Sequence, residues 1–69
     1  MDRQVIEQIK HHFPNGTRVK LVSMDDPKAV PVGTLGTVIG VDDIGSLLVR
    51  WDNGQGLHVL YGIDRVEKI

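Results

Sequence analysis

Apolar residues in the first dozen positions recur at three- and four-residue intervals, at Val5, Ile6, Ile9 and then Phe13, while Arg3, Gln4, Glu7, Gln8 and Lys10 fill the gaps. That spacing places the apolar set on one face of an amphipathic helix over residues 1–12. Asp2 is positioned to cap it, and Pro14-Asn15-Gly16 ends it, because proline cannot continue the hydrogen-bond ladder and Asn-Gly is a strong turn pair. A helix this short is marginal in water, so its stripe must dock on the rest of the chain or on a second copy.

After Gly16 the period changes from helix to strand. Thr17 to Val22 alternates, with Val19 and Leu21 on one face and Arg18 and Lys20 on the other. Ser23 to Gly33 carries Asp25, Asp26, Pro27, Pro31 and Gly33 and reads as a long loop. Thr34 to Val41 is rich in β-branched residues but interrupted by Gly36 and Gly40; a bulge at Gly40 lets both Val38 and Val41 point inward. Asp42-Asp43-Ile44-Gly45 turns the chain into Ser46 to Trp51, where Leu47, Val49 and Trp51 share the inner face. Asp52-Asn53-Gly54-Gln55 is a hairpin signal, since Asn and Gly both accept positive φ, and it leads into a strand carrying Leu57 and Val59 inward. A turn at Tyr61 to Asp64 precedes a last strand from Arg65 to Ile69. Five short strands with Gly-rich turns predict a mainly β fold, a small five-stranded barrel over residues 13–69 behind the helix.

Composition narrows the class without changing this picture. The chain has 69 residues, 41% hydrophobic and 25% charged, as in an ordinary globular domain, with room for one small core. With no cysteine it has neither a disulfide nor a Cys-based zinc site, so packing must hold it together. No apolar run approaches the ~20 residues of a membrane helix, and Asp2 and Glu7 do not suit a signal peptide; the expectation is a cytoplasmic protein without membrane contact. Eight Lys and Arg against nine Asp and Glu leave a net charge of −1, which argues against a general grip on phosphate backbones.

Four blocks resemble a known but uncharacterised family: Phe13-Pro14-Asn15-Gly16-Thr17-Arg18-Val19, Ser23-Met24-Asp25-Asp26-Pro27, Gly33-Thr34-Leu35-Gly36-Thr37-Val38, and Val49-Arg50-Trp51-Asp52-Asn53-Gly54. Its members occur in bacteriophages and conjugative elements, chiefly of Gram-positive bacteria. The resemblance spans about Phe13 to Val66, leaving the helix outside. More loosely, Gly36-Thr37-Val38 and Val49-Arg50-Trp51-Asp52-Asn53-Gly54, followed by Tyr61-Gly62 and Asp64, are similar to SH3-like barrels of the Mind-bomb type, which are binding modules. The resemblance implies an SH3-like fold, a mobile-element setting and a counter-defence role, and no chemistry.

The candidate residues point the same way. Ser23 and Ser46 lack a nucleophile elbow and an adjacent base, and Gly33, Gly36 and Gly40 lack phosphate-loop spacing, so no enzymatic activity is expected. Neither cofactor nor metal is expected: adjacent His11 and His12 diverge by about 100° on a helix and His58 stands alone. The pairs Asp25-Asp26 and Asp42-Asp43 fit turn chemistry, in which an aspartate accepts from backbone two residues on. Asp25 and Asp26 also lie in the loop that borders the ligand groove of an SH3-like barrel, where a cationic partner would be met. Trp51 faces inward by alternation, yet with Asp52 and Tyr61 it would border the same groove. The expectation is therefore a non-catalytic module binding a protein, a host defence factor being the partner that the resemblance implies, through Asp25, Asp26, Trp51, Asp52 and Tyr61. The alternatives are nucleic-acid contact through an outward strip of Arg18, Lys20 and Arg50, or capture of a small nucleotide ligand. A helix stripe left uncovered would make a homodimer.

Overall fold

A computed structural model describes residues 2–69; the expected start of the helix at Met1 lies outside the described residues. The helix α1 runs from Arg3 to His12 and is capped as its sequence implies, the Asp2 carboxylate accepting from the Gln4 N–H at 2.9 Å. Lys10 occupies its last turn, where a cation suits the helix dipole. The apolar stripe docks on the protein's own core: Ile9 is buried, and Val5 and Phe13 pack at the core's edge. Val5 and Ile6 keep part of their surface at the edge of that contact.

Four antiparallel strands follow, β1 (Arg18–Ser23), β2 (Leu35–Val41), β3 (Leu47–Trp51) and β4 (Arg65–Lys68). They form one open sheet in the order β3-β2-β1-β4. β1 is central, pairing Val19 with Gly36 on one side and with Lys68 on the other. Two irregularities bend the sheet. One lies in β2 between Val38 and Gly40, opposite Val49 and Leu48, where glycine inside a strand predicts it; the other lies in β1 between Leu21 and Ser23. The alternation holds, with Val19, Leu21, Val38, Leu47, Val49 and Trp51 all buried on one face.

The expected strand beyond the hairpin does not form; Val59 alone bridges to Leu47, with two reciprocal 2.9 Å hydrogen bonds. Its neighbours' backbone groups are engaged elsewhere. The Leu57 carbonyl accepts from the Trp51 indole at 3.0 Å, the Leu60 N–H donates to the Asp64 carboxylate at 2.9 Å, and the Leu60 carbonyl accepts from Ile63 and Asp64 N–H. The hairpin turn also differs from expectation: Asn53 keeps an ordinary φ and only Gly54, at +92°, is left-handed, so the connection is a turn from Trp51 to Gly54 followed by a Gln55 carbonyl accepting from Trp51 N–H at 3.0 Å.

The long loop is less loose than its composition suggests. Leu21 N–H donates to the Thr34 carbonyl at 2.9 Å, and Gly33 N–H donates to the Leu21 carbonyl at 2.8 Å, so the loop's return leg lies along β1. Within it, Val30 is only 2% exposed and plugs the core from the loop side.

Candidate functional site

The residues expected to share one groove fall into three separate places. Trp51 belongs to the core: its ring is 1% exposed, with Nε1 satisfied by Leu57. It reaches a hollow of about 560 Å3 on the outer side of β2 and β3 only as part of the wall, alongside Ile39, Leu48, Arg50 and His58. Tyr61 is 55% exposed and lines a different hollow, of about 410 Å3, with Phe13, Leu47, Val59 and Val66. Asp25 and Asp26 line a third, of about 330 Å3, with Leu57, His58, Leu60 and Asp64.

Asp52 and Arg18, assigned by sequence to rival sites, hold each other. The guanidinium spans both carboxylate oxygens at 2.8 and 2.6 Å and also donates to Thr37 Oγ1 at 2.9 Å. A bidentate pair of this kind fixes both side chains in one plane. The hydrogen bond from Arg18 holds the Asp52 carboxyl below its usual value, and the same bond raises the guanidinium. Lys20 lies 3.8 Å from Glu67. Two of the three cations in the proposed strip are therefore matched by carboxylates, and Arg50, exposed beside the hollow that Trp51 helps to wall, is the one without an acidic partner among the described residues.

The acidic corner is built differently. Asp26 accepts from Lys28 N–H at 2.8 Å, the expected turn contact two residues on, and Asp42 accepts from Ile44 and Ser46 N–H at 3.1 and 2.8 Å. The Asp25 carboxylate accepts no hydrogen bond and has no cation within 4 Å among the described residues, although its backbone N–H donates to Asp64 at 3.1 Å. Asp64 is the residue that sequence reasoning undervalued. One of its oxygens ties the long loop, through Asp25, to the turn that its other oxygen closes at Leu60. The turn signal around Gly62 was visible, but the partner 39 residues away was not.

Above this corner stand Leu60, Tyr61 and Ile63, all exposed apolar residues on one turn pinned by Asp64. Leu60 faces the acidic hollow and Tyr61 the hollow along β4. Among the described residues no three His, Asp or Glu side chains are grouped so as to hold a metal ion, and no helix is long and apolar enough to cross a membrane.

The chain belongs to the family described as Domain of unknown function (DUF4314), which matches residues 2–69. The match takes in α1 together with the sheet, reaching beyond the blocks from Phe13 to Val66 that carry the sequence resemblance. No curated protein and no solved structure matches the chain significantly.

Proposed function

We propose that this domain is a non-catalytic binding module whose partner is a protein, engaged through a basic segment with an apolar flank at the corner formed by Asp25, Asp26 and Leu60. The observation that carries the reading is the Asp25 carboxylate, exposed and without a partner among the described residues, in a hollow it shares with Asp26 and an exposed leucine. A Lys or Arg of the partner would meet the carboxylates, and a neighbouring apolar side chain would cover Leu60 and Ile63. The resemblance to a family of phages and conjugative elements makes a host protein the first partner to try. In this reading the sheet is a reduced SH3-like barrel. The Leu47 to Val59 bridge, standing where a fifth strand would run, and the two bulges that bend β1 and β2 support it.

The test is an amide-shift titration with a synthetic peptide alternating Lys or Arg with Leu. Shifts at Asp25, Asp26, Leu60 and Asp64 that weaken with salt support the reading. Asp25→Asn with Asp26→Asn should lower affinity about five- to tenfold, the scale of two exposed charge contacts. Equal binding of an acidic peptide, or shifts confined to α1, would overturn it. The nucleic-acid alternative rests on Arg50, and salt-dependent titration with DNA or RNA examines it directly.

A further inference from the structure

The last strand carries a charge order that is complementary to itself when reversed. From Asp64 to Lys68 the side chains read acidic, basic, apolar, acidic, basic, around Val66 as the centre. β4 is also an edge, paired only with β1. Ladder alternation decides which of its backbone groups are free. Ile69 N–H donates to Arg18 at 3.1 Å, so residues of that parity, Glu67 and Arg65, turn their backbone groups toward β1. Leu21, opposite Val66, confirms this from the other side, since its N–H and carbonyl both bond to the Gly33 and Thr34 leg. The N–H and carbonyl groups of Val66 and Lys68 therefore face away from β1, and Val66 lines the hollow it shares with Tyr61 and Phe13.

We propose that β4 pairs antiparallel with β4 of a second copy, about a twofold axis through Val66. Only pairings that match outward-facing residues with outward-facing residues make hydrogen bonds, which leaves axes centred on residue 65, 66, 67 or 68. Centring on Arg65, Glu67 or Lys68 sets that charge against its own copy. Centring on Val66 sets Arg65 of each copy against Glu67 of the other, and Asp64 against Lys68. The same register brings Ile69 of one copy, 63% exposed, toward the Ile63 end of the other, 62% exposed. It closes an edge that is otherwise an open template; of the acidic corner only Asp64, whose oxygens also hold the Asp25 and Leu60 N–H groups, meets the seam, while Asp25 and Asp26 stand outside it.

Sedimentation of the full chain over a wide concentration range tests this. The expected result is a reversible monomer–dimer equilibrium. Arg65→Glu and Glu67→Arg should each weaken it about thirtyfold, since two attractive pairs become repulsive. The double variant Arg65→Glu/Glu67→Arg should return to within about threefold of the parent, because both pairs are opposite in charge again. An equimolar mixture of the two single variants should form a heterodimer tighter than either homodimer, which a misfolded variant could not do. A monomer up to about 1 mM, a range that covers even weak association, would overturn the proposal, as would a dimer indifferent to the single reversals.

Discussion

The hairpin of β2 and β3 and the corner joining the long loop to the Tyr61–Asp64 turn are held by different physics. In the hairpin, shape decides. Gly36 lies opposite Trp51, and a methyl group added there would stand 2.7 Å from Val49 Cγ1 and 2.8 Å from Trp51 Cε3, so the indole occupies the space a side chain would need. In the corner, polar pins decide. Asp64 gathers two backbone N–H groups, Gln55 Nε2 reaches the Lys28 carbonyl at 3.2 Å, and Val30 is the one apolar residue of the loop that is buried. Shape-held structure resists any change of volume. Pin-held structure at the surface can be rearranged by exchanging hydrogen bonds with water or with a partner, each worth only about 0.5–1.5 kcal/mol. A shape-held sheet carrying a pin-held corner would suit the binding role proposed above.

Substitutions can break this contrast, the largest effect first. Gly36→Ala should destabilise by about 1–3 kcal/mol, lowering the melting temperature by roughly 4–8 °C per kcal/mol. Gly40→Ala is its control: the added carbon would lie 3.4 Å from Leu48 Cδ1, an ordinary contact, and the melt should move much less. Equal losses at the two glycines would mean that volume does not govern the hairpin.

Asp64→Ala comes next, at about 1 kcal/mol. Amide exchange should quicken at Asp25 and Leu60 while the amides of Val38 and Val49 keep their protection. Loss of protection in both regions together would erase the distinction between them.

The smallest effect concerns the Arg18–Asp52 clasp beside the hairpin. Because Arg18 holds the Asp52 carboxyl below the ordinary 3.8, the folded protein takes up that proton less readily than the unfolded chain. The clasp's contribution is complete above 3.8 and is lost as pH falls through the lower, folded-state value. Asp52→Asn should therefore melt slightly below the parent at neutral pH, with the gap closing on acidification. A gap that widens in acid would show that another carboxylate dominates.

What the sequence disclosed divides along the same line. The sheet is legible because inward positions repeat with period two, at Val19 and Leu21 in β1 and at Val49 and Trp51 in β3, and because Gly40 marks the bulge in β2. The helix and its Asp2 cap were legible because capping is local. The corner was not, since a lone Val30 between Ala29 and Pro31 has no period to reveal that it is buried. The Arg18–Asp52 clasp joins residues 34 apart, and only the strand register brings them together. Treating each as a free surface charge put them in rival sites. The fifth strand fails for a related reason: Leu57 and Val59 have strand-like spacing, but an indole takes the Leu57 carbonyl and a carboxylate takes the Leu60 N–H.

Trp51 also makes the protein its own optical gauge. It is the only tryptophan, its ring is shielded from water, and its Nε1 is tied to Leu57, two residues before the Val59 bridge. Its emission should be that of an indole in an apolar setting. Any event that parts Val59 from Leu47 should loosen that tie, wet the ring and shift the emission to the red. A partner that docks on the acidic corner without disturbing the seam should leave the colour unchanged. One spectrum, recorded without any label, therefore separates binding at the surface from opening of the core.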